Sequence, residues 1–206
     1  MKTIIQLIKR VNNTEIGAGN TNEFYVLVPT ELDVSDMMNL DEECEFICRK
    51  NPTQRYKFRY TYGREKRIVG MGEFYRENSI EAGDEVILEC SIDDLSNKYY
   101  VVDYKKNSKS IVLQKFKDGF ELLSPSKMHL INAETKTEKG QSIEIDFVGN
   151  FKKRSDSPKE TKCYIVKIDG TPISNDSSRP WLEIIVCNHV AVIKPINTWK
   201  MLKFKK

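Results

Sequence analysis

The sequence predicts a mainly β protein, and three observations carry that expectation. Runs that alternate apolar and polar residues, or are apolar throughout, recur at short intervals: TIIQLI, FYVLV, CEFIC, YKFRYTY, RIVGM, EVILEC, YYVVDY, SIVLQKF, SIEIDFV, KCYIVKI, WLEIIV and VAVIKPI. Asn, Gly, Asp, Pro and Ser bound them, as turns between strands require. Helical signals are confined to two short stretches, TELDVSDMMNL and GEFYRENSI.

Taken in order, MKTIIQLIKRV reads as a first strand, because Gln6, Lys9 and Arg10 cut the apolar run far short of a signal sequence or a membrane span. A polar loop, NNTEIGAGN, leads to the strand FYVLV, which Pro29 ends. TELDVSDMMNL is expected to make one or two helical turns. CEFICRK, the turn NPTQ and YKFRYTYG form the next strand pair, and REK loops into RIVGM. In GEFYRENSIEAGDEVILE, Phe74, Ile80 and Val86 can reach a core while Glu73, Arg76 and Glu77 stay wet, with Asn78, Gly83 and Asp84 supplying the exit turn. No long linker, fixed-period repeat or low-complexity tract follows. The expected seam is SPSK, Ser124 to Lys127, dividing the chain into residues 1–124 and a β-rich module at 125–206.

At 206 residues with 39% hydrophobic content the chain can bury a core without staples, and its net charge is only +3. A binding signal must therefore come from segregation of charge, and segregation is present. From Arg49 to Arg67, the cations Arg49, Lys50, Arg55, Lys57, Arg59, Arg64, Lys66 and Arg67 face one acid, Glu65; from Glu73 to Asp94 eight acids face Arg76. In RYKFRYTYGREKR the cations interleave with four aromatics, which suits a strand that buries one face and offers the other to a polyanion. A solvated edge strand would carry the same pattern.

The five cysteines form no C-x-x-C pair and the two histidines, His129 and His189, have no zinc-ligand spacing, so neither a structural metal nor a nucleophilic catalytic arrangement is expected. Scattered thiols in apolar runs suggest reduced, buried cysteines and an intracellular setting, in cytoplasm, nucleoid or nucleus.

The order of parts between Phe24 and Cys90, above all YKFRYTYGREKRIVGMGEFYRENSIEAGDEVILE, resembles the B-three DNA-binding domain of plant transcription factors, which also serves as a recognition domain in some bacterial restriction endonucleases. KRVNNTEIGAG and FYVLVPTEL resemble that family's first loop and the strand after it. The resemblance covers about Ile4 to Glu89. It implies a seven-stranded-type open pseudobarrel with two short helices, double-stranded DNA as partner, and no cofactor, metal or membrane. It also implies two loops gripping the major groove. In the first, the candidates are Lys9, Arg10, Asn12, Asn13, Asn20 and Asn22; at the second, Arg59, Tyr62, Arg64, Glu65, Lys66 and Arg67.

The residue types suit the task. Arginine presents a bidentate fork to guanine, asparagine to adenine, and lysine neutralises phosphate. Arg64, beside Gly63, is the expected base reader and Lys66 the expected phosphate contact, while Glu65 can accept from cytosine or repel phosphate. Asn12, Asn13 and Asn20 also read as plain turn residues, and parity alone leaves open which of Tyr60 and Tyr62 enters the core.

Two alternatives stand beside this reading. Asp146 and Glu160-Thr161-Lys162 faintly echo the acid and Glu-x-Lys order of metal-dependent nucleases, which would make the second half a compact catalytic domain. A protein-interaction module using the barrel faces is the other.

Overall fold

Along Thr3–Arg10 (β1) the inward positions are Ile5, Leu7 and Lys9, so the period-two pattern that makes this segment a strand ends on a buried cation. The computed structural model describes residues 2–19, 21–157, 159–174 and 180–206. Its packing divides the chain into two units, one comprising residues up to Ala18, 22–106 and 198–206, the other residues 107–197 with Gly19 and Thr21. The division thus falls between Lys106 and Asn107, not at the expected 124–125, and the C-terminal strand Trp199–Lys205 returns to the first unit by pairing antiparallel with β1. Pro125 in SPSK does not mark a linker: it starts a 3-10 helix, Pro125–Leu130, where its missing N–H costs nothing.

The first unit is a curled sheet of pseudobarrel type. After β1 come Tyr25–Leu27 (β2), Glu43–Cys48 (β3), Arg55–Tyr62 (β4), Lys66–Val69 (β5), the helix Gly72–Glu77 (α1), Glu85–Ile92 (β6) and Lys98–Lys105 (β7). The spatial order is C-terminal strand, β1, β6, β7, β3, β4, β5, β2, with β3–β7 parallel and the other pairs antiparallel. The C-terminal strand makes eight strands where seven were expected. Phe46, Phe58 and Phe74 are fully buried at the centre, with ring centroids 4.8 Å apart for Phe46–Phe58 and 6.1 Å for Phe58–Phe74. Phe74 enters from α1, as the sequence implies.

The expected helix after Pro29 is a series of turns instead. Asp33 accepts from the Ser35 backbone N–H at 2.9 Å, and the N–H groups of Met37 and Met38 both return to the Val34 carbonyl. This local side-chain bond offers the backbone an alternative to helix. Val34, Met37 and Met38 are nonetheless fully buried.

The second unit holds Ser110–Phe116 (β8), Gly119–Leu122 (β9), Lys136–Thr137 (β10), Ile143–Lys152 (β11), Glu160–Ile168 (β12), Thr171–Pro172 (β13), Trp181–Cys187 (β14) and Val190–Pro195 (β15). Its order is β10, β15, β14, β8, β9, β12, β11, with β13 on β12, around a core of Ile111, Leu113, Phe120, Val166 and Ile184. No helix among the described residues is long and apolar enough to cross a membrane.

Candidate nucleic-acid interface

The loop after β1 is built around a carboxylate that does not reach solvent. Asn12 Oδ1 accepts from the Glu15 backbone N–H at 2.9 Å, and Glu15 Oε2 accepts from the Asn12 backbone N–H at 2.9 Å. This is the reciprocal capping box of a helix start, used on a single turn whose Ile16 N–H reaches the Asn12 carbonyl at 3.2 Å. Glu15 also accepts from the Leu27 N–H at 2.7 Å and from Lys9 Nζ, which ties the loop to both flanking strands.

Lys9 is therefore not a surface cation. It is 4% exposed and ion-paired with Glu15, so the sequence expectation of a DNA contact there is corrected: burial removes it from any ligand. Asn12 is spent on the turn. Arg10 is half-buried and pairs with Glu85 at 3.3 Å. Asn13 holds the loop through its carbonyl, which accepts from Ala18, and Asn22 is exposed. Asn20 lies outside the described residues.

The second loop joins β4 to β5. On β4, Tyr56, Phe58 and Tyr60 face the core, and Arg55, Lys57 and Arg59 face out. No bulge intervenes: Tyr62 has the parity of Tyr60, but it stands beyond the end of the core and is 61% exposed. Gly70 closes the far end of the hairpin at φ +90°, where a Cβ would meet the Lys57 carbonyl oxygen at 2.5 Å, so a side chain there would force the strands apart.

The basic segment is largely neutralised by its own surroundings. Glu43 and Glu45, outward on β3, take Lys57 at 2.9 Å and Arg55 at 2.8 Å as cross-strand pairs. Arg49 pairs with Glu89 at 2.7 Å, and Lys50 lies 3.7 Å over the Tyr104 ring. Lys66 donates to the carbonyls of Thr30 at 3.0 Å and Leu32 at 2.8 Å, which corrects its expected role as a phosphate ligand. Arg67 donates to Glu65 at 2.8 Å and to Glu23 at 2.7 Å while stacking 4.3 Å over Tyr25, so one guanidinium links the exit of the first loop to the tip of the second. Burial pushes the Tyr25 phenol up to about 12, with Arg67 pulling the other way.

Arg59 and Arg64 remain. Among the described residues neither side chain has a hydrogen-bond or ion-pair partner, and both are exposed. Arg64 sits at the rim of an open depression of about 430 Å³ lined also by Asp41, Thr61, Tyr62, Gly63, Glu65 and Arg67. Thr61 lies one pleat repeat, about 6.6 Å, from Arg59 on the same strand face. The depression thus brings together an unpartnered guanidinium, an exposed aromatic and two carboxylates.

Sequence reasoning overlooked Glu15, Glu23 and Tyr25. The signal for Glu15 was present in Asn12-Asn13-Thr14-Glu15, an N-x-x-E capping pattern. Nothing in sequence spacing joins Glu23 to Arg67.

The nuclease constellation does not assemble. Asp146 lies opposite Ile165 and pairs with Lys167 at 2.7 Å, whereas Glu160 lies opposite Lys152, about 17 Å further along β12. Among the described residues no cluster of His, Cys, Asp and Glu could hold a metal ion.

No family model matches the chain, and no curated protein matches it. Among solved structures, the Arabidopsis FUS3–DNA complex is similar to this chain at 16% identity and a TM-score of 0.36, over 49% of this chain and 96% of that one.

Proposed function

We propose that the chain binds double-stranded DNA sequence-dependently, with the β4–β5 tip reading base edges in the major groove and the first loop providing a second grip. The observation that carries this reading is the state of Arg64: an unpaired, exposed guanidinium at a loop tip beside exposed Tyr62, in a segment whose other cations, Arg59 apart, are held by acids, carbonyls or a ring. A planar fork left free is suited to two parallel bonds with guanine O6 and N7. Arg59, on the outward face behind the tip, is suited to phosphate. Glu15 and Arg67 act as positioning residues, the first fixing the loop after β1 and the second joining its exit to the tip. Glu65 and Asp41 in the depression disfavour phosphate there, which restricts how a duplex can sit.

Selection from a randomised duplex pool, followed by affinity measurement on the enriched site, tests the reading. An enriched motif bound with a salt slope on the order of −1, from Arg59 on a phosphate, supports it. A pool that does not enrich, or binding indifferent to salt, contradicts it.

A further inference from the structure

The second unit carries a surface of its own, built on other residues than those proposed to bind duplex. β11 and β12 form a long hairpin at the sheet edge, in register from Ile143–Ile168 to Lys152–Glu160, with one shift between Phe147 and Gly149 that makes Val148 an extra, bulged residue. Before the bulge, Ile143 and Ile145 point into the core along with Val166. Phe147 continues that face past the end of the core, 55% exposed, with its ring edge-on to Tyr164 at 5.6 Å. The bulge keeps Asn150 and Lys152 on the Phe147 face, where their register partners are Lys162 and Glu160. One face therefore presents a supported aromatic ring, then Asn150 beside Lys162, then Lys152 opposite Glu160, each cross-strand step advancing about 6.6 Å.

Charge separates the possible occupants. Residues 147–162 contain Lys152, Lys153, Arg154, Lys159 and Lys162 against Asp156 and Glu160, a balance of +3 that equals the net charge of the whole chain. Lys153 and Arg154 are paired with Glu121 and Asp156. Lys152 and Lys162, on the Phe147 face, have no hydrogen-bond or ion-pair partner among the described residues. A protein strand added to this edge would meet the bulge and the lysines, both of which block edge pairing. An exposed ring with free cations spaced along one track is instead the composition of a stacking platform for unpaired bases. Duplex DNA offers no exposed base face to stack on Phe147.

We infer that the β11–β12 face binds single-stranded nucleic acid, stacking a base on Phe147 and holding phosphates at Lys152 and Lys162. This site does not rest on the duplex reading of the first unit. Its chemistry is shared by RNA and DNA, so the test uses both: fluorescence anisotropy of the full chain with labelled oligo(dT) and oligo(U). Binding of either or both is expected, with the better-bound oligomer identifying the source. Phe147→Ala should weaken it about tenfold or more, Phe147→Trp should retain it, and Lys152→Glu with Lys162→Glu should abolish it. Arg64→Ala should leave it unchanged, which separates this site from the duplex site. Phe147 is exposed, so an unchanged melting temperature in Phe147→Ala confirms that the fold survives. Absence of binding to both oligomers overturns the inference, as does equal affinity in Phe147→Ala and the parent.

Discussion

Lys9 Nζ lies 2.9 Å from both carboxylate oxygens of Glu15, and both residues are buried. A charge buried with its partner is tolerated, but one left alone is costly. Glu15→Gln should therefore lower stability by about 3 to 5 kcal/mol, read by urea denaturation, because it strands the Lys9 ammonium. Faster hydrogen exchange at the Leu27 amide should accompany the loss. Parent-like stability would mean that the first loop is held by something other than this pair.

Lys66 is the second place where a cation works inside the protein. Its ammonium reaches the carbonyls of Thr30 and Leu32, so Lys66→Ala should shift the melting temperature downward and loosen the segment after Pro29 while leaving the salt slope of DNA binding unchanged. A slope reduced by about one, with an unchanged melting temperature, would assign Lys66 to phosphate instead.

Phe74 anchors α1 in the core, in edge contact with Tyr56, Phe58 and Tyr104. Phe74→Ala should cost roughly 3 to 5 kcal/mol in chemical denaturation, as buried aromatics do. A change under about 1 kcal/mol would show that the helix does not close the barrel.

Alkaline pH should destabilise the first unit. The Tyr25 phenol, raised by burial from 10.0 to about 12, is favoured neutral by the fold; that contribution is complete below about pH 10 and disappears as pH rises to about 12. Cys90, raised by burial to about 11, adds a loss that begins near 9. Stability followed by fluorescence should fall across pH 9 to 12, and Tyr25→Phe should flatten the upper part of that fall. An identical profile in Tyr25→Phe would remove Tyr25 from the explanation.

The β class, most strand positions and the Phe74 helix were legible because each rests on local periodicity. The C-terminal strand beside β1 was not, since WKMLKFK alternates like any edge strand and nothing local names its partner. Neutralisation of β4 was legible in principle: Glu43 and Glu45 alternate with Cys44 and Phe46 as Arg55, Lys57 and Arg59 alternate with Tyr56 and Phe58, so pairing the two strands sets acids against bases. Lys9 was misread because a charged residue at an inward position looks like a loop residue until its buried partner is known. The Glu23–Arg67–Glu65 link depends on two loops meeting in space, which only the folded chain reveals.

Arg64 decides the matter. Competition binding of the parent and of Arg64→Ala to a selected duplex and to a scrambled one should show Arg64→Ala losing about 1 to 3 kcal/mol on the selected site, with relaxed preference at one base pair and an unchanged melting temperature. If the parent and Arg64→Ala bind both duplexes equally, the segment RYKFRYTYGREKR is a solvated strand and the protein does not read DNA through it.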